Sequence, residues 1–153
     1  MAKGLKDALQ DAVKDAMRGG DRERRTVLRS ATAAIKQREV DQRVDLTGND
    51  AAVIEILSKL VKQRRESAAV YRDAGEEARA KAEEHEALIL SEFLPAAADE
   101  AEIDALIEEA LTATGAATIK DMGRVMAQLK PKLQGRADLS AVSARVKQRL
   151  GAS

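Results

Sequence analysis

Apolar side chains recur at three- and four-residue steps almost from the first residue. Leu5, Ala8, Leu9, Ala12, Val13, Ala16 and Met17 share one helical face, which predicts a first helix ending at Gly19 and Gly20. Asp21 is placed to cap a second helix by accepting from free backbone amides. Val27, Leu28, Ala31 and Ile35 form its inner face as far as about Val40. From Asp41 to Asn49 the period is lost, and Thr47-x-x-Asp50 has the spacing of a capping box opening a third helix. On that helix Val53, Leu57, Leu60, Val61, Arg64, Ala68 and Tyr71 lie within one arc, with Gly75 as its stop. A fourth helix, Glu76 to Phe93, is expected to turn Ala78, Ala82, His85, Ile89 and Phe93 inward.

Leu94-Pro95 breaks this pattern, because proline lacks a backbone donor and biases the residue before it away from helical geometry. Three further helices follow. The first is capped by Asp99, with Ile103, Leu106, Ile107, Ala110 and Leu111 inward and Gly115 at its end. Thr118-x-x-Asp121 then opens a helix burying Ile119, Met122, Val125, Met126 and Leu129 up to Pro131. After a loop from Lys132 to Ala137, Asp138 starts the last, with Leu139, Val142, Val146 and Leu150 inside. No segment alternates with the period of a strand. The expectation is an all-α protein of about seven helices in two subdomains: a helical bundle over 1–94, a hinge at 95–98 and a three-helix subdomain over 99–153.

Composition narrows the chemistry. The 153 residues include no cysteine and one histidine, which excludes thiolate nucleophiles, disulfides and a zinc site. The longest stretch without a charged side chain, Ala110 to Ile119, is too short for a membrane span. The first seven residues carry no apolar leader, so the default expectation is a cytoplasmic protein with no membrane partner. Nucleophile elbows, phosphate-binding loops and dinucleotide fingerprints are all missing. The paired glutamates at 76–77, 83–84 and 108–109 diverge by about 100° on a helix and make no catalytic dyad. No catalytic residue, metal ligand or cofactor is therefore assigned.

Charge is more informative by segment than in total, where 26 Lys and Arg balance 26 Asp and Glu. Residues 99–114 hold six acids and no base. Residues 115–153 hold Lys120, Arg124, Lys130, Lys132, Arg136, Arg145, Lys147 and Arg149 against Asp121 and Asp138. That predicts a basic tail surface, read either as phosphate contacts or as solvated helix faces. A second basic run, Lys59, Lys62, Arg64 and Arg65, lies on the third helix. Arg64 there has two readings: an ion pair to a glutamate of the fourth helix, or, with Lys62 and Arg65, the floor of an anion site. With two aromatic residues, both expected inward, any nucleic acid would be held by backbone and shape rather than base stacking.

Four motifs in order carry a resemblance across nearly the whole chain. They are Val61-Lys62-Gln63-Arg64-Arg65-Glu66-Ser67 with Tyr71-Arg72-Asp73-Ala74-Gly75; Glu92-Phe93-Leu94-Pro95; Lys120-Asp121-Met122-Gly123-Arg124-Val125-Met126; and Pro131-Lys132-x-x-Gly135-Arg136-Ala137-Asp138. The chain thereby resembles the GatB/YqeY family, whose module also forms the tail of the B subunit of tRNA-dependent amidotransferase. The resemblance implies a partner tRNA, held at Lys120, Gly123, Arg124, Lys132, Gly135 and Arg136, with amidotransferase or aminoacyl-tRNA synthetase components as further partners. It also implies carbon-nitrogen ligase activity with glutamine as amido-N donor, although none of the residues that such chemistry needs is present in this sequence. The expected function is a non-catalytic tRNA-binding accessory. The alternatives are a component of such a ligase acting with catalytic partners, and a protein interaction module that uses the acidic stretch without RNA. For Gly123, close helix packing competes with close approach of an RNA backbone; for Gly135, plain turn geometry competes with presentation of Lys132 and Arg136.

Overall fold

A computed structural model describes residues 4–151. Its order is α1 (Leu5–Arg18), α2 (Arg22–Gln42), α3 (Asp50–Asp73), α4 (Glu77–Ser91), α5 (Glu100–Thr114), a single 3-10 turn (Ile119–Asp121), α6 (Met122–Leu133) and α7 (Leu139–Gly151). The architecture is all-α, with no strand among the described residues. The reading of the chain start falls in part on Met1 to Lys3, outside the described residues. Among the described residues, no helix is long and apolar enough to cross a membrane. The chain divides into two compact units between Leu94 and Pro95.

In the first unit, α1 and α2 form a hairpin and α3 and α4 a second one. Asp21 caps α2 by accepting from Arg24 N (3.0 Å), and Gly75 adopts φ 78° to end α3. The core joins Leu9, Leu28, Ile35, Val53, Leu57 and Leu90, all essentially inaccessible to water. Each such side chain contributes about 1.5–3 kcal/mol of burial. At the end of α2, Arg43 sits in the left-handed region at φ 55° and ψ 48°. A side chain there costs roughly 1–2 kcal/mol that glycine would avoid.

Two expectations fail in this unit. The Thr47–Asp50 capping box does not form: Asn49 caps α3 by accepting from Ala52 N (3.2 Å), while Asp50 Oδ1 accepts from Leu5 N (2.8 Å). Tertiary partners outbid the local box. The inner face of α4 is also rotated from its predicted phase. Ala80, Ala87, Ile89 and Leu90 are buried, whereas Ala78 and Ala82 are exposed and His85 keeps 58% of its side chain accessible, paired with Glu23 of α2. Helix α4 carries small or apolar residues on every side, so periodicity does not define one face.

The second unit packs α5 against α6 and α6 against α7 over Ile103, Ile107, Val125, Leu129, Leu133, Val142 and Val146. Asp99 caps α5 by accepting from Glu102 N (2.8 Å), and Gly115 ends it at φ 63°. The Thr118–Asp121 capping box is present. Ile119, expected inside, is 47% exposed, because the 3-10 turn rotates it off the α6 face. Helix α6 does not stop at Pro131 but continues to Leu133. The donor that Pro131 lacks would have faced the carbonyl of exposed Ala127, and complete burial of Leu133 offsets the loss.

Candidate functional site

The tail bases do not stand free. The acidic α5 lies beside α6 and α7, and the two charge runs meet. Lys132 Nζ donates to Glu109 (2.9 Å), Arg136 to Glu102 (2.6 Å) and Arg145 to Glu100 (2.9 Å) and Asp104, while Arg149 pairs with Glu108. Arg124 pairs with Asp121 and also donates to Thr114 O (3.2 Å). The continuous basic tail read from segment charge is therefore corrected: its surplus is matched by α5. The acidic stretch is corrected by the same contacts, since five of its carboxylates face tail cations and Asp99 caps the helix.

Arg136 is the most embedded of these groups. Besides Glu102, it donates from Nε to Ala96 O (2.9 Å) and from Nη1 to Lys132 O (3.2 Å), with 27% of its side chain exposed. Ala98 N donates to Arg136 O (2.8 Å). These bonds bind the chain entering the unit to the α6–α7 loop. Gly135 takes φ 77°, the positive turn that lets Arg136 fold back.

The outer face of α6 is different. Lys120, Gly123, Arg124, Ala127 and Lys130 recur at helical spacing and are all exposed. A Cβ built on Gly123 meets no heavy atom within 4 Å. Close helix packing therefore does not explain this glycine, nor does a positive φ. In a helix it costs roughly 0.8–1 kcal/mol relative to alanine. Asp121 fixes this face: its carboxylate accepts from Ala117 N (2.8 Å) and Thr118 N (3.1 Å). Those bonds, chiefly the Ala117 amide and then the Arg124 guanidinium, pull its pKa down to about 2.

On α3 the second basic run is not one cluster. Arg64 is half-buried and reaches Glu86 of α4 (Nε to Oε2, 3.3 Å) and Ser30 Oγ of α2 (3.2 Å). It forms the interhelix ion pair. Lys62 is partly buried and Arg65 exposed, and they lie about 160° and about 100° around the helix from Arg64. The three do not converge on one anion site.

Sequence reasoning missed the most built polar cluster of the first unit. Lys6 Nζ donates to Glu39 (2.7 Å), Asp45 (3.4 Å) and Thr47 Oγ1 (3.2 Å), and Glu39 also accepts from Leu46 N (2.8 Å). Glu39 is a buried carboxylate, four residues after Ile35 on the inner face of α2, and that position was the available signal. The Lys6 ammonium and then the Leu46 amide lower its pKa; Glu39, in turn, raises that of Lys6. The Thr47 hydroxyl and amide, helped by Lys6, hold Asp45 far below the ordinary carboxylate range. With every donor matched, the cluster fastens the α2–α3 loop to α1. Among the described residues, no group of three or more His, Asp or Glu is placed to hold a metal ion.

The fold defines the class as an all-α protein of two helical units. The family model described as Yqey-like protein matches residues 6–150, and the chain belongs to that family. No match to a curated protein was found.

Proposed function

We propose that this protein is a non-catalytic RNA-binding accessory working beside tRNA-dependent amidation or aminoacylation, with the outer face of α6 against the RNA backbone. The observation that carries the reading is Gly123. It lies in the Lys120-Asp121-Met122-Gly123-Arg124 motif, in open space, flanked by exposed cations and without a packing role. A missing side chain lets a phosphodiester backbone approach the helix while Lys120 and Lys130 supply charge beside Arg124, which Asp121 already pairs. Lys132 and Arg136 contribute less than their motif suggests, because Glu109 and Glu102 already hold them. Gly135 serves the fold of the loop.

The test is tRNA affinity at low salt for the parent, Gly123→Ala and Gly123→Leu. Alanine is expected to stabilise the helix by up to about 1 kcal/mol, as relief of the glycine cost predicts. Both variants are expected to weaken tRNA binding, leucine more than alanine. Unchanged affinity in Gly123→Leu defeats the reading.

A further inference from the structure

Helix α2 bears a regularity that the tail does not explain. Arg22, Arg29, Lys36 and Arg43 follow one another at seven-residue intervals, with Arg25 between the first two. Seven residues are nearly two helical turns, so Arg22, Arg29 and Lys36 stand on one stripe over roughly 21 Å, and Arg43 follows at the left-handed position just past the end of α2. Glu23 and Asp41 lie on another flank of α2, while at its C-terminal end Glu39 and Asp45, both bonded to Lys6, line one cavity with Lys36 and Arg43.

The fold treats the bases of α2 selectively. Those turned toward neighbouring helices find carboxylates, Arg24 at Glu92 (2.6 Å) and Arg38 at Glu55 (3.1 Å). On the stripe, the structure gives Arg29 only the weak acceptor Met17 Sδ (3.4 Å), and Arg25 keeps a buried Nε–H without a partner. Arg43 occupies a left-handed position that glycine fills more cheaply.

We propose that the α2 stripe is a second, independent polyanion surface that takes the phosphate backbone of a nucleic-acid duplex without reading its bases. Four of the five cations are arginine, whose planar fork matches phosphate oxygens. Between them stand Thr32 and Ala33, and Val40 and Val44 are exposed apolar side chains at the C-terminal end alone, short of the continuous seam that a docked amphipathic helix needs. A duplex offers one charge per roughly 1.7 Å of axis, so an evenly spaced row finds phosphates in many registers. This inference does not depend on the α6 reading.

The experiment measures binding of the full chain to a 30-base-pair RNA duplex and the matching DNA duplex across a salt series. The parent is compared with the Arg22→Gln, Arg29→Gln, Lys36→Gln, Arg43→Gln variant. Binding to both duplexes is expected, and the variant's log–log salt slope should be shallower by about 3–4, as loss of four phosphate contacts predicts. Arg43→Gly separates folding from binding: its melting temperature should hold or rise while duplex affinity falls. Retained duplex binding in Gly123→Leu supports the inference, whatever that variant does to tRNA. An unchanged slope in the quadruple variant overturns it, as does preference of the parent for anionic phospholipid vesicles or a polyglutamate peptide over either duplex.

Discussion

The two units carry the same formal charge and arrange it in opposite ways. The second has eight bases and eight acids; the first holds the remaining eighteen of each, so both sum to zero. In the second unit, acids and bases lie far apart in sequence and are brought face to face, leaving five of the eight bases paired. In the first, acids and bases interleave along α2, yet the helical period sorts them onto different flanks and leaves a stripe of cations. Segment net charge therefore misjudged the tail. Surface potential follows helix phase and packing, and a run of one sign marks an open patch only when no neighbour of the other sign is laid against it.

The largest effect that tests this comparison lies in the tail's core. Leu129→Ala should cost about 2–5 kcal/mol in urea denaturation, because it opens a cavity at a fully buried position. That loss should exceed the effect of breaking any one tail ion pair, since exposed pairs contribute roughly 0–1 kcal/mol. A tail that survives Leu129→Ala but melts on loss of the Arg136–Glu102 pair would reverse this ranking.

Next come two carboxylates of unlike setting. Glu39→Ala leaves the buried amide of Leu46 without its acceptor and takes from Lys6 its nearest carboxylate, and should lower the melting temperature clearly. Glu102→Gln, at a partly exposed pair, should change stability by under about 1 kcal/mol while freeing Arg136. Equal melting temperatures for these variants would erase the distinction between the units.

The smallest effect concerns acid. Asp121 has a folded pKa depressed from 3.8 to about 2, so its stabilising contribution is complete above the unfolded value and is lost as pH falls toward 2. Amide chemical shifts of Ala117 and Thr118 should titrate with a midpoint near 2. A midpoint near 4 would mean that the carboxylate does not hold the turn.

Much of the fold was legible because its signals are local. Caps at Asp21 and Asp99, the box at Thr118 and Asp121, and stops at Gly75 and Gly115 each act within one turn of the chain. Helix α4 was misphased because alanine on all sides gives no direction to bury. Helix α6 ran past Pro131 because Leu133 had a core to enter. Arg64 illustrates the limit at a candidate site: its inward position was visible from spacing, but the partners Glu86 and Ser30 belong to other helices.

By itself the sequence determined the helices, most of their ends and the Yqey-like membership, because hydrogen bonding, capping and motif spacing are properties of neighbouring residues. Tertiary structure alone decided which charges remain open to a partner. Acids and bases distant in the chain cancel or stand apart according to which helices are laid side by side, and that choice is made by burial of apolar faces, not by the charges themselves.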